Sequence, residues 1–112
     1  MKICVASSAG GHLTEVLQLR SAYEKFSHFY IIVKRDDSAW LEKKRKVYYV
    51  SDVRRNSKAF LENFFRSIEI LKKEQPDVLI STGAGGALPS ILAARLLGIK
   101  IIFIEEPLIS IL

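Results

Sequence analysis

Cysteine occurs once, at Cys4, and histidine twice, at His12 and His28. A lone cysteine excludes an internal disulfide, and histidines this few and this far apart exclude a zinc-type ligand set, so no metal site is expected. Cysteine usage this sparse fits a reducing cytoplasm. No apolar run approaches the roughly 18 residues that a membrane-spanning helix requires. The nearest, ILAARLLGIKIIFI, is broken by Arg95, Gly98 and Lys100. The amino-terminal MKICVASSAGG has too short an apolar core for a secretory signal and reads as a first strand. Internal repeats, low-complexity stretches and linkers are also missing. A soluble or peripherally attached protein is expected.

What the chain does have is apolar content, at 49% of its 112 residues. That is enough for one core, and residues 1–112 are expected to form a single domain. Its net charge is +5, and the placement is uneven. Residues 34–58 hold nine Lys/Arg against four acids (Asp36, Asp37, Glu42 and Asp52), so this segment carries the whole excess. Lys43, Lys44, Arg45, Arg54, Arg55 and Lys58 are its candidate contacts to an anionic surface. Such local charge suits lipid headgroups, nucleic acid or phosphorylated substrates. A solvated face explains it equally well.

Five short runs, Lys2–Ala6, Phe29–Val33, Val47–Val50, Val78–Ser81 and Lys100–Ile104, are rich in β-branched residues and nearly continuous in apolar character. That pattern marks strands covered on both faces. Helical spacing lies between most of them. A first helix is predicted from about Gly11 to Lys25, with Leu13, Val16, Leu17, Leu19, Tyr23 and Phe26 on one stripe. A second follows from KAFLENFFRSIEILKKEQ, with Phe60, Leu61, Phe64, Phe65, Ile68 and Leu71 on the apolar face. Glu62–Arg66 and Glu69–Lys73 are its expected i,i+4 pairs, and Pro76 stops it. A third, about Leu88–Leu97, has Pro89 in its first turn and Gly98 just past its end, where a left-handed cap is wanted. The result is an open α/β sheet of about five parallel strands with flanking helices. After the fifth strand, EEPLISIL brings no further helix. The fold is therefore expected to be C-terminally incomplete, or covered there by a partner.

Ligands of open parallel sheets bind beyond the carboxyl ends of the strands. Two glycine loops fall there: SSAGGHL, with Ser8, Gly10, Gly11 and His12, and STGAGGALP, with Thr82, Gly83, Ala84, Gly85 and Gly86. Glycine lets backbone approach closely, and a helix amino terminus offers unpaired N–H groups, so each loop can cradle an anion. One such loop is explained at least as well by the needs of a tight turn. Two on neighbouring strands, facing one crevice, favour a ligand. Neither has the G-x-G-x-x-G spacing of a dinucleotide site, and a phosphate-loop lysine is absent. His12 can titrate near neutral pH and is a candidate base, with positioning as the plainer role. Glu105 ends the fifth strand in the same crevice. Ser81 and Thr82 are expected to cap the following helix. Cys4 and Trp40 are expected to pack.

The stretches SSAGGHLTEVLQL and RRNSKAFLENFFRSIEILKKEQPDVLISTGAGGALPSILAARLLGIKIIFIE resemble one family. It is the membrane-associated, acceptor-side subunit of two-component glycosyltransferases, from the dolichol-linked N-acetylglucosaminyltransferase anchor subunit to relatives in bacterial capsule and exopolysaccharide synthesis. The second stretch is also similar to the acceptor-half glycine loop of the N-acetylglucosaminyltransferase of peptidoglycan synthesis. The resemblance implies the Rossmann-like N-terminal half of a GT-B glycosyltransferase. This half would hold a lipid-diphosphate acceptor at the cytoplasmic face of the membrane. A donor-binding partner subunit would hold the UDP-sugar co-substrate, with no tightly bound cofactor and no nucleic acid. Gly10, Gly11 and His12 match the family's first loop, and Thr82, Gly83, Ala84 and Gly85 its second. Arg55 and Asn56 match its RN pair, and Glu105 matches the end of its IE strand. The implied chemistry is inverting displacement by an acceptor hydroxyl, needing the partner for turnover. Rival readings are a non-catalytic recruiting or stabilising protein, a nucleotide-cofactor oxidoreductase, and a non-functional truncated homologue.

Overall fold

A computed structural model describes residues 1–7, 23–33, 46–50, 57–81, 87–105 and 108–111. Six strands and two helices lie within them. They are β1 (Lys2–Ser7), β2 (Ser27–Val33), β3 (Val47–Val50), α1 (Ser57–Glu74), β4 (Val78–Ser81), α2 (Leu88–Leu96), β5 (Lys100–Glu105) and β6 (Leu108–Ile111). The sheet order is β3-β2-β1-β4-β5-β6. The first five strands are parallel, which makes this the Rossmann-like open sheet predicted from the sequence.

β6 is an addition to that expectation. It returns antiparallel along β5, pairing Glu105 with Leu108 and Ile102 with Ile111. The LISI segment is therefore a strand. Only two residues separate β5 from β6. A link that short permits a hairpin, whereas a parallel neighbour needs a crossover of a dozen or more residues.

The central strands β1, β2 and β4 are largely apolar because both of their faces are buried. Along β1, Cys4 and Ala6 point to one side and Ile3 and Val5 to the other, and all four are buried. The first side joins Phe29, Ile31, Leu79 and Ile101 under α1 and α2. The second joins Tyr30, Ile32 and Ile80 to Tyr23, with Phe26 half-buried against them. The predicted first helix, over 11–25, lies outside the described residues except at its end, which supplies Tyr23 to this second face.

α1 buries only part of the stripe the spacing suggests, Leu71 fully and Phe60, Phe64 and Ile68 in part. Leu61 and Phe65 are 54% and 62% exposed, while Asn63, Ser67, Ile70, Leu71 and Glu74 are buried. The reason is the neighbouring helix. Ser67 Oγ lies 2.9 Å from Ser90 Oγ, so a pair of small hydroxyl side chains occupies the α1–α2 contact and turns the bulkier residues outward. Phe64 and Ile68 pack partly against the core, as expected. Arg66 meets Glu69 at 4.0 Å, one turn on at i,i+3.

α2 matches its sequence signals closely. Pro89 is at its first positions, where a missing N–H costs nothing. Gly98 takes φ +74° just after the end. Its N–H donates to Arg95 O at 3.1 Å, and the Ile99 N–H donates to Ala94 O at 2.9 Å. These two bonds form a Schellman cap that satisfies the last carbonyls. Ser81 does not cap the helix, and Thr82 lies outside the described residues. Ala87 is the N-cap, without a side-chain bond, because α2 starts at Leu88, seven positions beyond Ser81.

Candidate functional site

Strand order reverses between β1 and β4. The chain runs from β1 outward to β3, crosses back through α1, and inserts β4 on the free side of β1. Ala6 pairs with Ser81, so the two strands end side by side. The loops leaving them therefore start as neighbours at one switch point, where open parallel sheets take ligands. This adjacency is the part of the site expectation that the described residues bear on directly.

Ser8, Gly10, Gly11 and His12 in the first loop, and Thr82, Gly83, Ala84, Gly85 and Gly86 in the second, lie outside the described residues. So do Lys43, Lys44, Arg45, Arg54, Arg55, Asn56 and Trp40. What surrounds the loops is described. Ser7 and Ser81, the last residues of β1 and β4, are buried at 1% and 0% exposure. α2 begins just past the second loop with an N-cap that offers no side-chain acceptor. Its first N–H groups and the positive end of its dipole are thus directed toward the carboxyl edge of the sheet. Glu105 closes β5 two residues beyond Phe103, which pairs with Ser81, so its backbone stands at the same edge.

The other histidine is excluded from that edge. His28 pairs with Ile3 near the start of β2, at the amino edge of the sheet. Its Nδ1 lies 2.9 Å from Phe26 O; a carbonyl only accepts, so Nδ1 carries the proton. Tyr23 and Tyr30 stand edge-on to the ring, with centroids 5.3 and 5.7 Å away. Cys4 is fully buried, and burial, reinforced by the nearby Glu74 carboxylate, pushes its thiol far above the usual range. It packs, and it offers no nucleophile. Among the described residues no three His, Cys, Asp or Glu side chains come together as a metal set.

The basic segment is divided by β3. Lys46 precedes that strand at the amino edge, and Lys58 follows it, exposed in the first turn of α1 at the carboxyl edge. The four residues of β3 span roughly 13 Å between the two edges. Lys46 is committed inward, because its Nζ lies 2.6 Å from Glu74 Oε2.

Glu74 is the polar centre that sequence reading misses. Its side chain is only 3% exposed, and Lys2 Nζ sits 2.5 Å from its Oε1. Tyr48 donates its hydroxyl proton to Oε2. Burial opposes the charge, but hydrogen bonds from Lys2, Lys46 and Tyr48 overcome it and hold the carboxyl down at about 2. The same bonds raise Lys46 and Tyr48 above their ordinary values. Beside this cluster an open cleft of about 450 Å³ is lined by Leu71, Lys72, Gln75, Pro76, Leu97 and Ile99. Both features belong to the amino edge, at the opposite end of the sheet from the paired ends of β1 and β4.

No family model matches the chain. It is 30% identical over 117 aligned positions to the UDP-N-acetylglucosamine--N-acetylmuramyl-(pentapeptide) pyrophosphoryl-undecaprenol N-acetylglucosamine transferase of Prochlorococcus marinus (strain MIT 9515). The match covers 96% of this chain and 32% of that protein. The chain thus spans about a third of the length of the curated relatives it matches. Among solved structures it superposes on Acinetobacter baumannii MurG with a TM-score of 0.75 at 21% identity, covering 90% of this chain and 34% of that one. It superposes on the UDP-GlcNAc 2-epimerase of Methanocaldococcus jannaschii with a TM-score of 0.74 at 18% identity, covering 90% and 30%. At these identities the structural likeness shows the fold, which transferase and epimerase share.

Proposed function

We propose that residues 1–112 form the acceptor-side half of a UDP-sugar-dependent glycosyltransferase of the GT-B type, acting on a lipid-diphosphate-linked acceptor. The observation that carries this reading is the similarity along 96% of the chain to a transferase whose name specifies a pyrophosphoryl-undecaprenol acceptor. The switch point between β1 and β4 supports it, because two glycine loops and the amino end of α2 leave from that edge and suit a diphosphate.

In this proposal Ser8, Gly10, Gly11 and the Thr82–Gly86 loop hold the acceptor diphosphate through backbone N–H groups. His12 takes the proton from the acceptor hydroxyl as that oxygen attacks the anomeric carbon. The bond from that carbon to UDP breaks, and the sugar is transferred with inversion. Glu105 contacts a sugar hydroxyl at the strand end. The donor half is supplied by a partner chain, which holds the UDP-sugar. The product enters capsule, exopolysaccharide or lipid-linked oligosaccharide synthesis. The chain works as a peripheral protein at the cytoplasmic face, with its basic segment on anionic lipid. Among the described residues no helix is long and apolar enough to cross a membrane.

The test is reconstitution with the donor-binding partner, using radiolabelled UDP-sugar and a lipid-diphosphate acceptor. Transfer is expected from the pair and from neither chain alone. Turnover by this chain alone would overturn the two-chain arrangement, and no transfer by the pair would overturn the function. Full activity of a His12→Ala pair would reduce this chain to a recruiting role.

A further inference from the structure

Buried polar side chains are unevenly placed among the described residues: Ser7, Asn63, Ser67, Glu74, Ser81 and Ser90. Glu74 belongs to the amino-edge cluster. Ser7 and Ser81 end β1 and β4, and Ser90 stands in the first turn of α2. Along the buried face of α1, Leu71 and Ile70 give way to Ser67 and then Asn63 toward the helix start, which lies at the carboxyl edge. The core thus turns polar around both ends of the second glycine loop. That loop is short. Five residues, Thr82–Gly86, separate Ser81 from Ala87, and these two ends are buried at 0% and 2% exposure. Three of the five are glycine, which sets few backbone limits of its own.

We propose that Ser67 and Ser90 are positioning residues for the acceptor diphosphate, acting through the Thr82–Gly86 loop. The inference rests on the function proposed above and adds two side chains too deeply buried to touch substrate. A short glycine-rich loop takes its course from its two anchors. The first anchor is the sheet, where Ser81 pairs with Ala6. The second is the start of α2, where the N-cap Ala87 makes no side-chain bond. Three residues on, Ser90 Oγ meets Ser67 Oγ at 2.9 Å, with both residues at most 2% exposed. A hydrogen bond is directional, so this one sets both the slide of α2 along α1 and its rotation. The apolar contacts of Ile91, Ala93 and Ala94 in the same core specify neither as narrowly. A buried polar pair fixing the register of two packed helices is the best-attested use of such groups. Alanine would fill the seam almost as well, because two bonded hydroxyls contribute little net stability once their lost hydration is counted. What they add is the setting of α2, and with it the place of the second loop against the first.

The experiment is a double-mutant cycle, Ser67→Ala, Ser90→Ala and both together, made in the full chain. Calorimetry with farnesyl diphosphate measures binding, and reconstitution with the donor-binding partner measures transfer. Wild type is expected to bind the probe. The double variant should melt close to wild type, because both hydroxyls leave together. Its Kd for farnesyl diphosphate and its KM for the lipid acceptor should each rise about tenfold, with kcat and the KM for UDP-sugar unchanged. Each single variant should show the same rise as the double, since either change breaks the one bond. Any two of the three that fold suffice for that comparison. Ile70→Val is the control for loosened packing on the same helix, and it should melt lower while keeping wild-type Kd. Unchanged Kd and KM in the double variant would overturn the proposal. So would single effects that multiply in the double, an equal rise in Ile70→Val, a joint fall of stability and kcat, or a wild-type chain that binds no farnesyl diphosphate. Failure of the functional reading looks different, since the graded loss of farnesyl diphosphate binding would persist while the reconstituted pair transfers no sugar.

Discussion

Replacing Glu74 by glutamine should remove most of a pH-dependent contribution to stability. The carboxyl is held at about 2 in the folded chain against a usual 4.5. A depression of that size is worth about 3 kcal/mol at neutral pH, at about 1.4 kcal/mol per pH unit. The folded value lies below the unfolded one, so the contribution is fully present above about pH 4.5 and is lost as pH falls toward 2. About 2 kcal/mol of it should be gone near pH 3. Glutamine keeps the shape and one acceptor oxygen but carries no charge. Lys2 and Lys46 are 34% and 57% exposed, so their cations can return to water in the variant. The loss at neutral pH should therefore be about 2–3 kcal/mol, toward the lower end of what breaking a buried pair costs. Urea unfolding of wild type and Glu74→Gln at several pH values measures it, because the difference between the two isolates this group from all other carboxylates. A variant within about 0.5 kcal/mol of wild type at neutral pH refutes the reasoning. So does a difference that stays constant down to pH 3.

Gly98→Ala should cost about 1 kcal/mol, because φ is +74° there while the added Cβ meets nothing within 4 Å. A melting temperature unchanged within error would refute the left-handed cap. Cys4 should resist a water-soluble disulfide reagent in the native state and react fully in denaturant, since it is completely buried and its thiol is pushed upward. Rapid native labelling would show that β1 is not covered as described.

The first five strands and the two described helices were legible because each signal is local, whereas β6 was not read as a strand. Alternating burial on two covered faces leaves a continuous apolar run, and Pro89 and Gly98 mark helix ends by their backbone chemistry. The neighbouring ends of β1 and β4 were legible for the same reason, through the crossover rule. The outward turn of Leu61 and Phe65 was not, because it depends on where α2 lies. Ser67 meets Ser90 across 23 positions of sequence, and no spacing within α1 announces that. Glu74 was hidden more deeply. It reads as one more charge in KKEQ, and its partners Lys2 and Tyr48 are 72 and 26 positions away. Of the candidate site itself, the sequence supplied the loops and the fold supplied their common starting edge.

That common edge depends on chemistry at the opposite end of the sheet. Lys2 N–H donates to Asp77 Oδ2 at 2.8 Å, and Asp77 N–H donates back to Lys2 O at 2.8 Å. Glu74, three residues earlier, grips the Lys2 ammonium. These bonds pin the start of β4 to the start of β1. In a parallel pair the register set at one end is carried to the other, so pairing Ile3 with Val78 obliges Ala6 to meet Ser81. A slip of one residue would exchange the faces of every β4 side chain and move the second loop relative to the first. Leu79 and Ile80 sit on opposite buried faces, one in each core cluster, which makes such a slip costly. The cluster lies at the amino edge, yet it helps fix where β1 and β4 end and both loops begin. Removing the Asp77 side chain should therefore loosen the β1–β4 register before it disturbs either helix, and hydrogen exchange at Val5 and Ile80 would report it first. Exchange protection lost evenly across α1 and α2 instead would show that the register is held by the cores alone.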